Sequence, residues 1–328
     1  MTRAVELAQI ASAGVSEAFK NRIINGDMRI DQRNNGAAVT GQQYLVDRWR
    51  TWFDPGTYSF QRVTDAPAGF TSSLRITKTN TTQSNYAILL QHIEGNNIAD
   101  LGWGTASARP VNLSFWVKSS ITGTFSVSLN NADTTTRSYI VAYTINAANT
   151  WEFKTAAIPG PTDGTWNTDN TTGIQVKFNY GGGGGGTAAP GSWVTGDHGG
   201  GTGAMANLGT TNGATFQVTG VQLEVGSAAT SFEYRPHTTE LQLCQRYFEI
   251  LAPAAIMMPW SSAAQITRIS GYFQVTKRAP PTIDMRTKGG GTGTMGAAGS
   301  SISGVTYFGA GNQNDVIEYP SPTASIEL

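Results

Sequence analysis

The residues of this chain that could do chemistry are aromatic and polar side chains in glycine-rich and asparagine-rich segments. The candidates for ligand contact are Trp103, Trp166, Tyr180, Trp193, Asp197 and His198. An aromatic face can cover the apolar side of a pyranose ring, while carboxylate, amide and imidazole groups hydrogen-bond its hydroxyls. Segments between strands carry binding residues more often than strands do. The set therefore predicts a glycan-binding surface. The alternative for each aromatic ring is core packing or a subunit contact.

Catalysis has no signature in this sequence. Glycosidic bond cleavage needs two carboxylates that face each other across a cleft. The candidate pairs, Asp54 with Asp65 and Asp163 with Asp169, lie in turn-like segments, where aspartate is favoured for conformational reasons. The sequence also lacks a G-x-S-x-G nucleophile motif and the GK[ST] of a phosphate-binding loop. We therefore predict a protein without enzymatic activity.

Metal ligands are sparse as well. The histidines are His92, His198 and His237, and Asp197-His198 is the only adjacent pair of possible ligands among them. Metal sites in proteins gather several such groups at short spacing. We expect no metal ion and no cofactor at these residues.

Composition narrows the possible partners. Charged residues make up 13% of the 328-residue chain, against roughly 25% in an average soluble protein. The 22 basic and 22 acidic residues cancel, and no basic stripe of the kind that binds nucleic acid is visible. A single cysteine allows no intrachain disulfide. We expect no nucleic-acid partner, no membrane insertion and no signal peptide, hence assembly in a cytoplasm.

Period-2 alternation between turn signals dominates the sequence from residue 21 onward and predicts an antiparallel sandwich. The predicted strands are 44–53, 57–63, 73–79, 85–93, 111–117, 123–129, 137–145, 151–158, 172–179 and 215–225. Trp49, Trp116 and Trp151 lie in alternating segments, which predicts that they belong to the core. The glycine-rich segment 181–203 is predicted to be a long loop, and the segment 289–299 a loop or an intertwined stretch.

The first twenty residues have helical periodicity. Leu7, Ala11, Val15 and Phe19 fall near one face of a helix spanning 1–20. A helix this short is marginal on its own. It either covers the neighbouring domain or serves attachment and oligomerisation.

A second helix is predicted at 237–246, with Thr238 or Thr239 as its cap and Cys244 as a small buried residue. Further strands are predicted at 246–251, 264–276, 281–287, 302–308 and 314–319.

Several short segments occur in a fixed order along the chain. They are Asn25-Gly26-Asp27, Asp47-Arg48-Trp49, LSFWVK at 113–118, GVQLE at 220–224, LCQRY at 243–247 and FQVTKRAPPTIDMR at 273–286. This ordered set resembles tail and fibre proteins of bacteriophages and prophages. In those proteins a jelly-roll module, related to carbohydrate-binding modules, precedes a distal β segment.

The resemblance implies a mainly β protein with an antiparallel jelly-roll β-sandwich, a short N-terminal helix and a smaller C-terminal β domain. The implied division is 1–20, the helix; 21–236, the jelly roll; 237–246, a helical linker; and 247–328, the C-terminal β domain. Jelly rolls of this class often hold a structural calcium, for which Asp27, Asp47 and Glu224 are candidates here.

The resemblance also implies a function. The chain would be a virion structural protein, a tail fibre or receptor-binding appendage that contacts host surface polysaccharide without cleaving it. It would form a homotrimer and bind other tail or capsid proteins, and linked copies would strengthen weak single sites. The alternatives are a capsid or head decoration protein and a polysaccharide depolymerase.

Overall fold

The structure is a computed structural model that describes residues 19–54, 56–82, 86–131, 136–182, 186–251, 254–257, 265–284, 294–311, 316–319 and 322–327. The first strands are β1 (Val39–Thr40), β2 (Arg50–Asp54), β3 (Tyr58–Val63), β4 (Ser73–Lys78), β5 (Tyr86–Glu94), β6 (Val111–Ser119) and β7 (Gly123–Asn130). They continue with β8 (Arg137–Ile145), β9 (Glu152–Ile158), β10 (Thr172–Asn179), β11 (Thr187–Ala188), β12 (Trp193–Thr195), β13 (Gly200–Gly201) and β14 (Thr215–Val225). Short 3-10 helices span Gly95–Asn97, Ala99–Leu101 and Leu208–Thr210.

The helix α1 (His237–Gln245) separates these strands from a second group. That group comprises β15 (Phe248–Ile250), β16 (Ala254–Met257), β17 (Gln265–Tyr272), β18 (Thr282–Asp284), β19 (Thr294–Ser300), β20 (Gly304–Gly311), β21 (Val316–Tyr319) and β22 (Thr323–Ser325). Within the described residues, no helix is long and apolar enough to cross a membrane.

Two antiparallel sheets form the body of the protein. Across the described residues, sheet A has the strand order β1-β3-β4-β14-β6-β9, and sheet B has the order β12-β8-β7-β10-β5-β2. The predicted mainly β sandwich is confirmed. Each of the ten strands predicted between residues 44 and 225 overlaps an observed one.

The core lies between the sheets because side chains alternate along each strand. On β10, Ile174, Val176 and Phe178 are fully buried, and on β6, Leu113 and Phe115 meet them from the other sheet. The rings of Phe115 and Phe178 pack edge to face with centroids 4.9 Å apart. Each such side chain contributes about 1.5–3 kcal/mol on burial.

The same alternation explains which tryptophans are in the core. Trp49 is fully buried, as predicted. The prediction is wrong for Trp116, because Leu113, Phe115 and Val117 point inward and Trp116 falls on the outer face, paired with Phe153. It is also wrong for Trp151, which is partly exposed just before β9, beside Lys118.

The predicted loops are only partly irregular. β11, β12 and β13 lie inside 181–203, and β19 begins inside 289–299, so the prediction of a loop is wrong at those residues. Short backbone-paired strands need no large side chains, and β19 pairs with β20 through a run of small residues. The residues at 285–293 lie outside the described part of the chain.

The predicted N-terminal helix falls mostly outside the described residues, which begin at Phe19. Leu7, Ala11 and Val15 lie outside them, so their attachment or oligomerising role stays a prediction. Phe19 has a φ of 65°, which is not helical, so the helix cannot continue through Phe19 as predicted. The Phe19 backbone N–H donates to Glu233 Oε1 at 2.6 Å, and its side chain is 53% exposed.

The helix α1 lies where the sequence predicts a helix, but its cap differs. Pro236 occupies the N-cap position and no side chain caps the helix, so the prediction of a threonine cap is wrong. Cys244 is 1% exposed and packs with Ile24 and Tyr247, as predicted for a small buried residue. β22 lies between β15 and β18, so the start and the end of the C-terminal part are side by side.

Candidate functional site

Tyr180 lies in the core of the sandwich and is fully buried. Its hydroxyl oxygen lies 2.6 Å from Thr51 Oγ1, and its ring packs edge to face against Tyr58 at 5.2 Å. Tyr180 therefore agrees with core packing, the alternative to ligand contact given for each aromatic candidate. The residue directly follows β10 and continues that strand's inward-facing set.

Trp103, Trp166 and Trp193 form one cluster with edge-to-face ring contacts at 4.7–5.5 Å. The indole N–H groups donate to the carbonyl oxygens of Arg109, Asp163 and Pro159 in turn. Trp103 and Trp166 are 7% and 8% exposed, which agrees with core packing, the alternative to ligand contact for these rings. The cluster holds the glycine-rich segment against the sandwich, and Trp193 keeps a partly exposed ring.

Residues 186–203 of the glycine-rich segment lie on the outer face of sheet B. β12 pairs with β8, and the Gly201 N–H donates to Ser126 Oγ on β7 at 3.1 Å. A Cβ at Gly200 would lie 2.6 Å from Asn179 Nδ2, so a larger residue here would displace the Asn179 side chain. The segment thereby covers β7 and part of β8 and β10, and it leaves β2 and β5 open.

The open part of this face is a groove of about 280 Å³, which we call the β2–β5–β10 groove. It is lined by Arg50, Trp52, Tyr86, Ile88, Leu90, His92, Gln175, Lys177 and Asp197. Strand pairing arranges its floor in rows: Trp52 beside Ile88; Arg50, Leu90 and Lys177; and His92 beside Gln175. Of the sequence-predicted residues, Asp197 lies in this groove.

Trp52 is the main apolar contact in the groove. Its side chain is 48% exposed, although it belongs to a strand whose neighbours Thr51 and Phe53 are buried. The Trp52 ring lies beside Ile88 and Leu90, which leave little surface exposed themselves. An exposed indole beside a flat aliphatic floor can cover the apolar face of a sugar ring.

The groove also contains hydrogen-bonding groups at fixed positions. Lys177 Nζ donates to Asp197 Oδ1 at 2.5 Å, and Asn130 Nδ2 donates to the same oxygen at 3.1 Å. Burial, with a smaller effect of the Asp197 charge, raises the pKa of Tyr86 to about 12, so the phenol keeps its proton at neutral pH. The side-chain amide of Gln175 makes no hydrogen bond to a described residue and faces the groove.

His198 lies outside this groove. Its Nε2 atom lies 3.0 Å from the Thr195 carbonyl oxygen, and its backbone N–H donates to Ser138 Oγ at 2.9 Å. Its carbonyl oxygen accepts from Asn130 Nδ2. His198 thus fixes the fold of the glycine-rich segment, and its predicted ligand contact stays a prediction.

His92 is neutral in the folded protein. Burial and the nearby cations Arg48, Arg50 and Lys177 lower the pKa of His92 to about 3, and its Nδ1 atom lies 3.1 Å from Thr172 Oγ1. An unfolded chain binds a proton at this residue near pH 6.5. As pH falls from 6.5 towards 3, the unfolded state gains protons that the folded state does not, so this residue lowers stability in acid.

The variant His92→Gln is therefore expected to lose less stability in acid than the wild type. Between pH 7 and pH 5 the free energy of unfolding of the wild type should fall by about 2 kcal/mol more than that of the variant. Urea unfolding followed by tryptophan fluorescence at several pH values measures it. His237→Gln, at the exposed start of α1, is the control and should follow the wild type. If the difference in free energy of unfolding between His92→Gln and the wild type stays the same at every pH, the expectation is contradicted.

The three calcium candidates contact different partners. Asp27 pairs with Arg29 at 2.9 Å, and Glu224 accepts from the Thr230 N–H at 2.8 Å. Asp47 accepts from the Gln32 N–H at 3.1 Å. Among the described residues, no group of three or more His, Cys, Asp or Glu side chains could hold a metal ion.

Three of the four carboxylates considered for catalysis have contacts within the fold. Asp65 pairs with Lys118, Asp163 pairs with Arg137, and Asp169 accepts from the Thr171 N–H at 2.9 Å. These contacts hold turns and neighbouring strands together.

A second aromatic surface lies on the outer face of sheet A. Phe70 contacts Phe232 and Tyr234 with ring centroids 5.1 and 5.5 Å apart, and Trp116 contacts Phe153 at 5.4 Å. The described residues that line this surface include no charged side chain. It provides a matched comparison for the groove on sheet B.

Arg50, Trp52 and Gln175 were missed as site residues by the sequence. Their signal is the alternation within β2 and β10, where residues at every second position face away from the core. A large exposed aromatic at an outward position of a strand is a candidate for ligand contact, and its neighbours decide whether it can serve as one. The boundary of β2 had to be known before Trp52 could be distinguished from Phe53.

Comparison with known proteins concerns the fold. No family model and no curated protein match the chain. A bacteriophage CBA120 tailspike protein, in its enzymatically active domain, is 15% identical with a TM-score of 0.34; the match covers 63% of this chain and 22% of that one. A CBM4 module is 17% identical with a TM-score of 0.32, covering 62% of this chain and 98% of that one.

A family 11 carbohydrate-binding module from Clostridium thermocellum, in complex with a mixed-linked tetrasaccharide, is 14% identical with a TM-score of 0.31. That match covers 58% of this chain and 96% of the module. At such identities no binding or catalytic residue carries over to this chain. The chain is a mainly β protein of antiparallel sheets, and its function has to be argued from its own residues.

Proposed function

We propose that this protein is a glycan-binding structural component of a phage particle, a tail fibre or another receptor-binding appendage that holds host surface polysaccharide without cleaving it. The observation that carries the glycan part is the half-exposed Trp52 ring in the β2–β5–β10 groove, with hydrogen-bonding side chains around it. The particle part rests on the ordered sequence segments that resemble phage tail and fibre proteins.

The groove suits a polysaccharide in shape as well as in chemistry. Its floor runs across three strands, and with roughly 4.8 Å between neighbouring strands it is about 10 Å wide from Arg50 to Lys177. Gln175 and Tyr86 lie within the same groove as Trp52 and can hydrogen-bond sugar hydroxyls. One ring can stack on the indole while its neighbours contact the polar side chains.

The groove supports binding rather than cleavage. Hydrolysis of a glycosidic bond needs an acid and a second carboxylate on opposite sides of the bond. Among the described residues that line the groove, Asp197 is the one carboxylate, and it is paired with Lys177. A groove with these residues can hold a glycan but lacks the second carboxylate. Weak binding at one groove would be strengthened by linked copies in a trimer.

The variant Trp52→Ala is expected to weaken binding to host polysaccharide at least tenfold, because the indole is the large apolar contact of the groove. Affinity is measured by electrophoresis of the protein through gels containing purified bacterial polysaccharides. Phe153→Ala is the matched control, since Phe153 is 46% exposed on the outer face of sheet A. It should retain wild-type binding.

Loss of binding in Phe153→Ala but not in Trp52→Ala would move the site to sheet A and contradict the proposed groove. Release of new reducing ends from a bound polysaccharide would contradict a non-cleaving role. The mass of the purified chain in solution, measured by light scattering, tests the trimer separately.

A further inference from the structure

Arg50 is a cation in the groove without an acidic partner. Its guanidinium lies 5.5 Å from the centre of the Tyr44 ring and 5.9 Å from that of Trp52. No ion pair joins it to a carboxylate among the described residues, although many other arginines of the chain are paired. A cation flanked by aromatic rings and lacking a counter-ion is a ready partner for an anion.

The other cations near the groove are already neutralised. Lys177 is paired with Asp197, and its side chain is 5% exposed. Arg48 is paired with Glu327, and its side chain is 1% exposed. Burial and the nearby cations lower the pKa of His92 to about 3, so His92 is neutral. The positive charge that the groove can offer to a ligand is therefore that of Arg50.

The register of β2 fixes where that charge lies relative to a bound sugar. Arg50 and Trp52 are two residues apart on the same face, which separates their Cα atoms by about 6.5–7 Å. A pyranose ring stacked on Trp52 thus carries a substituent towards Arg50. A guanidinium presents paired N–H donors that match a carboxylate or a phosphate.

We infer that the β2–β5–β10 groove takes an anionic saccharide, whose carboxylate or phosphate is held by Arg50 while the sugar ring stacks on Trp52. This inference rests on the proposed function and adds the chemical class of the ligand. Neutral polysaccharides would lack the partner of Arg50 and bind more weakly.

The test uses the full chain on an array of purified bacterial capsular and O-polysaccharides, neutral and acidic. Each uronate-containing sample is also printed after carboxyl reduction, and each phosphate-containing sample after dephosphorylation, which separates the two sources of negative charge. We expect the wild type to bind the acidic samples. This binding should fall at least tenfold when the sample's charge is removed by the matching treatment, when Arg50 is replaced in Arg50→Gln, and when the salt concentration is raised to 1 M. The control Arg75→Gln, on the outer face of sheet A, should bind as the wild type does.

The outcomes distinguish this inference from the proposed function. Equal binding to charged and neutralised samples, or wild-type binding by Arg50→Gln, overturns the anionic ligand and leaves glycan binding intact, provided that Trp52→Ala still loses it. If no sample shows binding that depends on Trp52, both the inference and the proposed glycan groove fail.

Discussion

The variant Arg48→Met is expected to lower the free energy of unfolding by about 3 kcal/mol, the lower end of the usual cost of breaking a buried ion pair, because Arg33 still pairs with Glu327. The Arg48 side chain is 1% exposed and pairs with Glu327. Its Nη2 atom donates to the His92 carbonyl oxygen at 2.7 Å, and its guanidinium lies 3.5 Å from the centre of the Tyr247 ring. Methionine fills much of the volume but replaces none of the polar contacts. Urea unfolding followed by tryptophan fluorescence measures the loss.

Arg109→Met is the matched control. Arg109 and its partner Asp100 are 46% and 44% exposed, and an exposed pair of this kind is worth at most about 1 kcal/mol. The double variant of Arg48→Met with Glu327→Gln should recover part of the loss, because it removes a buried carboxylate that has kept only one of its two arginine partners, Arg33. Equal shifts in Arg48→Met and Arg109→Met would show that the buried pair does not stabilise the fold as argued.

This pair also shows what the sequence could not predict. Arg48 and Glu327 are 279 residues apart, and no local pattern links them. Arg33 joins the same carboxylate at 2.8 Å, so two arginines of the jelly-roll part hold the end of the chain. Together with the β15–β22–β18 pairing, these contacts tie the end of the C-terminal part to the sandwich. The sequence predicts strands that overlap β15, β17, β18, β20 and β21, but it misses β16, β19 and β22 and does not predict this closure.

The strands of the sandwich were predictable because their information is local. Alternation along β10 distinguishes Ile174, Val176 and Phe178 from the polar residues between them, and turn residues mark the ends. The same rule places Trp52 outward once the limits of β2 are known. The wrong prediction that Trp116 is in the core also concerns alternation. The period of two residues on β6 was recognised, but not which of the alternating residues face the core.

The covering of sheet B was beyond the sequence for a different reason. A run of glycines carries no side-chain pattern, so nothing in it indicates which surface it approaches. In the structure, Gly199 and Gly200 lie so close to Tyr86 and Asn179 that a Cβ would clash. The cover leaves one part of the sheet open, and the groove exists because of where the glycine-rich segment stops. Its residues come from β2, β5, β10 and the segment itself.

Gly26→Ala is expected to destabilise the protein by more than about 3 kcal/mol, enough to reduce the yield of folded chain. A Cβ at Gly26 would lie 2.2 Å from the Val221 carbonyl oxygen, and backbone cannot move aside as a flexible side chain can. The Gly26 carbonyl oxygen accepts from the Val221 N–H at 2.9 Å, which holds this turn against β14. Thermal and urea unfolding of the purified variant measure the effect.

Asn25, beside Gly26, shows why the turn cannot shift to avoid the clash of a Cβ at position 26 with the Val221 carbonyl oxygen. Its side chain bonds the Ile30 backbone in both directions and donates to the Asp47 carbonyl oxygen, while its own carbonyl oxygen accepts from Trp49 Nε1. A shift of the turn that relieves the clash would break these buried bonds, each worth about 1 kcal/mol. Gly299→Ala, in open space with an ordinary φ, is the control and should be near neutral. Equal stability of the two variants would mean that the turn is not a fixed point of the sandwich.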